Sequence, residues 1–113
     1  MKGILINSKN ETITEVEVGD YKTISGFIEC EFLDVVSIGE NEDVYVDDEG
    51  LLNLDRDSKF FMINTYPQPL AGNGLILGFD FETGNSLDTK LTVDEVKKMV
   101  RFHTLNEVQL MGR

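Results

Sequence analysis

The run Tyr66-Pro67-Gln68-Pro69-Leu70-Ala71-Gly72-Asn73-Gly74 constrains the fold more than any other stretch, because two prolines and two glycines fall within nine residues. Proline fixes φ and removes a backbone donor, and it pushes the preceding residue, here Tyr66 and Gln68, toward extended backbone. Glycine admits positive φ or the close approach of another backbone. No regular element is therefore expected to pass through this loop. The apolar runs on either side, Lys59–Asn64 and Leu75–Phe81, must be two separate strands, with the second the more buried.

The rest of the chain divides in the same manner. Lys2–Asn7 is a short apolar run, and Thr12–Val18 is rich in β-branched residues that alternate over its second half. Joined by Ser8–Glu11, the two read as a hairpin. Asp20 is a good N-cap for a short helix in which Tyr21, Ile24 and Ile28 share a face. Phe32–Ile38 and Val44–Val46 read as strands paired across the Gly39–Glu42 turn. The sharpest helix signal is Leu91–Val100, where Thr92 and Glu95 form a Thr-x-x-Glu capping box and Val93, Val96 and Val100 make an apolar stripe. Arg101–Leu105 returns as a strand. The expected fold is α+β over residues 1–113: a single small domain, a mostly antiparallel sheet of about five to seven strands and two short helices packed on one face.

A core of this size needs no cross-link. With 41% hydrophobic and 27% charged residues in 113, the chain has the composition of one ordinary globular domain. Its one cysteine, Cys30, has no internal partner, and with the one histidine, His103, it supplies too few soft ligands for a metal centre. No metal and no cofactor are implied. A reducing, cytoplasmic setting is expected, since no run is long enough for a signal peptide or a membrane span.

The net charge of −11 limits the partners. Excess acid repels phosphate backbones and anionic lipid, so neither nucleic acid nor membrane is expected as a partner. The acid is also uneven: from Asn10 through Asp55 the only basic residue is Lys22, whereas the C-terminal third carries Lys90, Lys97, Lys98, Arg101 and Arg113. Glu40–Glu49 is the acidic peak, and Asp43, Asp47, Asp48 and Glu49 are its candidate contact residues. A calcium loop of the EF-hand kind fails there, because with Gly50 at the sixth position Tyr45 stands at the first and Arg56 at the twelfth. A Cys30–His103 dyad would need two distant residues to meet, and no glycine-rich phosphate or nucleophile motif occurs. No catalytic residue is expected.

Two binding candidates follow from the residues. The acidic set Asp43, Asp47, Asp48 and Glu49 suits a partner with a basic surface. The loop presents Tyr66, Gln68 and Asn73 on a stiff frame, which suits a small molecule such as a nucleotide-like signal, or else it closes the core with Leu70 turned inward. An anionic ligand would need a cation cluster such as Lys59, Lys97, Lys98 or Arg101 beside it. A homodimer through an edge strand is compatible with either.

Asp43–Leu52, Phe60-Phe61 and above all Tyr66–Gly78, followed by Leu91–Val96 and Val100–Phe102, resemble a family of phage, plasmid and bacterial proteins, domain of unknown function 3846. The resemblance is strong from about 35 to 103 and looser over the N-terminal hairpin. It implies only context, a short accessory protein of a phage or other mobile element, and carries over no activity, cofactor or site residue. The acidic face is what suggests that such a protein binds a host protein with a basic surface.

Overall fold

The computed structural model describes residues 1–52 and 54–111. Within them the order is β1 Lys2–Asn7, β2 Thr12–Glu17, α1 Tyr21–Ile28, β3 Leu33–Gly39, β4 Glu42–Asp47, β5 Lys59–Ile63, β6 Leu70–Ala71, β7 Gly74–Phe79, β8 Ser86–Leu87, α2 Val93–Met99, β9 Val100–Thr104 and α3 Leu105–Met111. The larger sheet runs β2-β1-β7-β4-β3, with β8 beside β7, and the smaller runs β6-β5-β9. Every pairing among the described residues is antiparallel.

β7 lies at the centre of the larger sheet, and its residues Gly74 to Gly78 are all buried. A strand covered on both faces reads as a continuous apolar run, which is why Leu75-Ile76-Leu77 does not alternate. Leu75 and Leu77 face α1, where they pack with Val18, Ile24 and Ile28. Ile76 faces the other way, among Ile4, Ile6, Val44, Phe61 of β5 and Val96 of α2. The larger sheet thus has α1 on one face and α2 with the smaller sheet on the other.

The α+β class and antiparallel pairing are as expected, but α1 and α2 do not share a face. Both faces of β1 and β7 carry apolar side chains, so each requires its own cover. The Tyr66–Gly74 run also holds more regular structure than expected. Leu70 and Ala71 pair with Phe61 and Phe60 of β5, since the two residues between Pro69 and Gly72 retain their backbone donors. Gly72 supplies the positive φ, at 77°. Gly74 supplies the close approach, because a Cβ there would lie 2.5 Å from the Phe61 ring.

The helix ends follow from local chemistry. Asp20 Oδ1 accepts the Thr23 amide at 3.1 Å, capping α1. At α2 the Glu95 amide donates to Thr92 Oγ1, and the Thr92 amide to Glu95 Oε1, both at 3.1 Å. α2 ends at Met99, so Val100 completes the apolar stripe as the first residue of β9. A second capping box starts α3: the Glu107 amide donates to Thr104 Oγ1 at 3.2 Å, and the Thr104 amide to Glu107 Oε1 at 2.9 Å. The Thr104 amide, and after it the Thr104 hydroxyl, hold the Glu107 carboxyl below the usual carboxylate range.

Candidate functional site

The Tyr66–Gly74 loop does not gather its polar side chains. The Tyr66 amide donates to Ile63 O at 2.9 Å, a tight turn that lays the ring partly on the core. Gln68 is exposed. Asn73 Nδ2 donates to Phe27 O at 3.1 Å and so fastens the loop to α1. Leu70 is half-buried against the core, as a plug would be. Tyr66 and Asn73 border different cavities, one of about 390 Å³ and one of about 200 Å³.

The acidic set divides too. Asp43 and Asp47 lie on the same face of β4 with Tyr45 between them, four residues and therefore about 13 Å apart. Asp43 is half-buried, and burial together with the neighbouring Glu42 charge pushes its carboxyl above the usual range. Asp47 Oδ1 accepts the Glu49 amide at 2.9 Å. Asp48 is exposed, and its amide donates to Phe32 O at 2.9 Å.

Folding adds to Asp47 and Glu49 two carboxylates from distant sequence, Glu29 and Glu31. The four border one open cleft of about 240 Å³ with Cys30 and Phe32, and among the described residues no cation lines it. The cleft depends on how α1 stops. Glu29 adopts the left-handed conformation at φ 62°, and the Glu29 and Cys30 amides both donate to Ser25 O. The chain then turns through Phe32 into β3, which runs beside β4. Among the described residues no group of three or more His, Cys, Asp or Glu is arranged to hold a metal ion.

Cys30 and His103 border different cavities and are not brought together. The Cys30 thiol donates to Phe32 O at 3.4 Å. Burial, and secondarily the Asp47 charge, push its pKa up, the reverse of what a reactive thiolate needs.

Glu42 behaves unlike the other acids. It is 7% exposed and opens β4 on the inward face. Both its oxygens accept from Thr89 Oγ1 at 2.9 Å, and Oε1 also accepts the Lys90 amide at 2.7 Å. The Thr89 amide donates in turn to Lys2 O at 2.9 Å, so residues 88–90 strap the sheet before α2 begins. Placing Glu42 in a solvated turn misses this. The missed signal is alternation, since Glu42, Val44 and Val46 share one strand face.

These features define a small antiparallel α+β domain with an acidic cleft on one face and, on the other, a separate cavity bordered by Tyr66, Lys98 and Arg101. The chain matches the family model described as Domain of unknown function over residues 1–101 and belongs to that family, DUF3846. The match takes in the N-terminal hairpin as fully as the proline-glycine loop, and it ends within β9, before α3. No curated protein and no solved structure matches the chain.

Proposed function

We propose that this chain is a non-catalytic binding protein whose acidic cleft docks a protein with a basic surface. The supporting observation is the cleft itself, which Glu29, Glu31, Asp47 and Glu49 line together with Phe32 and, among the described residues, without a cation. Phe32 is 53% exposed, and the turn after Asp47 projects Leu51 and Leu52, which are 65% and 77% exposed. Apolar anchors rimmed by one sign of charge suit an interface in which carboxylates steer and the aromatic and leucines are buried on contact. Its charge, with the phage or plasmid setting that the sequence resemblance implies, favours a cytoplasmic accessory role in which the partner belongs to the host.

The test is retention of host proteins by the immobilised chain at rising salt, set beside two variants, Glu31→Lys/Glu49→Lys and Phe32→Ala. A basic protein held by the native chain, released by salt and lost with both variants is expected. A partner that is acidic, indifferent to salt or equally retained by the charge-reversed variant would refute the reading.

A further inference from the structure

We propose that the cavity beside Tyr66 is a binding site for a small phosphate-bearing aromatic ligand of the nucleoside monophosphate class. The cavity, about 390 Å³, is bordered by Tyr66, Pro67, Met62, Lys98, Arg101 and His103 among others, and among the described residues no carboxylate lines it. In a chain of net charge −11, three basic side chains around one hollow free of acid are a local reversal of the global field. Neither Lys98 nor Arg101 has an ion-pair partner among the described residues. His103 Nδ1 is buried without a hydrogen bond, the Glu107 carboxylate standing 3.9 Å away, too far to supply one.

The backbone fixes this arrangement. α2 passes into β9 without a loop, which sets Lys98 at the helix end and Arg101 on the strand. Arg101 and His103, two residues apart, project from one face of β9 and lie opposite Met62 and Phe60 of β5. The Asn64 amide donates to Met99 O at 2.9 Å, pinning the turn that carries Tyr66 and Pro67 to the end of α2. Lys98 also complements the C-terminal end of the α2 dipole. That role is duplicated by Lys97 in the same turn, which borders a different cavity. Arg101, on a strand, has no dipole to complement.

The side chains specify the ligand's chemistry. A guanidinium fork beside a flexible ammonium matches a tetrahedral dianion better than a single carboxylate. Tyr66, Pro67 and Met62 provide flat and apolar wall for a ring. The volume lies within the range of about 300–1,000 Å³ usual for small-molecule sites. At physiological ionic strength charges are screened beyond about 8 Å, so the repulsion an incoming phosphate meets comes from nearby acids, of which Glu107 is the one beside His103.

The experiment is a titration of the full chain with AMP and UMP, followed by calorimetry and by amide chemical shifts, with adenosine and inorganic phosphate as controls. Saturable binding of at least one mononucleotide is expected, with shifts centred on Tyr66, Lys98 and Arg101, displacement by phosphate, and about tenfold or weaker binding of adenosine. Lys98→Gln/Arg101→Gln alters two exposed side chains and should weaken the mononucleotide by about tenfold or more with an unchanged circular dichroism spectrum. Should the double variant unfold, Arg101→Gln alone serves. Tyr66→Leu should weaken the mononucleotide but not inorganic phosphate. The proposal is overturned by failure of both mononucleotides to saturate at millimolar concentration, by equal affinity for adenosine, by full binding in the folded charge variant, or by shifts centred elsewhere.

Discussion

The cleft around Phe32 and the cavity around Tyr66 lie on opposite sides of the larger sheet and have opposite composition. Among the described residues, one is lined by four carboxylates and no cation, the other by Lys98, Arg101 and His103 and no carboxylate. A net charge describes neither. It is a sum over surfaces that the sheet keeps apart, so exclusions drawn from it hold for broad faces and fail for single cavities. The regions also differ in assembly. Lys98, Arg101 and His103 sit within six residues of sequence at one helix-to-strand junction. The acidic cleft joins the exit of α1 to the exit of β4, two places made neighbours by the β3–β4 pairing and by the packing of α1 on β4.

The two regions, unlike in charge, are expected to belong to one folding unit. Phe61 is fully buried in the cluster between the two sheets, where it touches the supports of both. Phe61→Ala should cost about 3–5 kcal/mol by truncation and cavity formation. Urea denaturation followed by tyrosine fluorescence and by circular dichroism should still give one coincident transition at a lower midpoint. Two separated transitions would mean the cleft and the cavity sit on independent units.

Glu42 tests the link between them, because it lies on the strand that carries Asp47 and holds the strap that leads into α2 and Lys98. Glu42→Ala leaves the Thr89 hydroxyl and the Lys90 amide without their acceptor, at a cost of about 1–3 kcal/mol. Glu42→Gln keeps one acceptor oxygen and should recover part of the loss. Amide exchange should quicken first in residues 88–92. Equal stability of Glu42→Ala and the native chain would show that the strap holds without the carboxylate.

Much of this architecture was legible in the sequence, and the illegible parts share a cause. The central strand was readable because Leu75-Ile76-Leu77 is uninterrupted, and α2 because its capping box precedes an apolar stripe. β6 and β8, two residues each, are too short to carry a period. The face chosen by α1 was unreadable because Leu5 and Ile6 offer both faces of β1 an apolar side chain, and only tertiary packing assigns the helices. Glu42 was misread although its spacing from Val44 and Val46 held the answer. α3 was missed although Thr104 and Glu107 repeat the Thr-x-x-Glu pattern of Thr92 and Glu95. Of the candidate site, Tyr66 was chosen from proline stiffening alone and does border a cavity, whereas Glu29 and Glu31 carry no local signal that would join them to Asp47.

The two capping boxes sharpen the comparison at smaller scale. α2 carries the buried Val96 and holds up the cationic side, while α3 buries no residue. Thr92→Ala should therefore cost about 1 kcal/mol of global stability, read as a lower urea midpoint. Thr104→Ala should fray α3 locally and leave the midpoint nearly unmoved. Equal losses from the two would mean that α3 is as integral to the core as α2.

The smallest effect, and the one that isolates electrostatics, is expected at Asp43. It adjoins Glu42 in sequence but lies on the other face of β4, half-buried and without a cation to pair with among the described residues. Burial, and then the Glu42 charge, raise its folded-state pKa above the unfolded value. The native state accordingly holds the proton more tightly than the unfolded one, and the ionised carboxylate opposes folding. The penalty is fully present above the folded pKa, declines as pH falls through that value toward the unfolded one, and is absent below both. Asp43→Asn removes the charge and keeps the shape, so it should raise the urea midpoint slightly at pH 7, and the gain should vanish as the solution is acidified through the carboxylate range. Asp48→Asn, at an exposed residue, should leave the urea midpoint at pH 7 nearly unmoved. A variant Asp43→Asn that is less stable than the native chain at neutral pH would mean that the carboxylate is held by a favourable contact, and that the acid on this strand is built into the fold rather than tolerated by it.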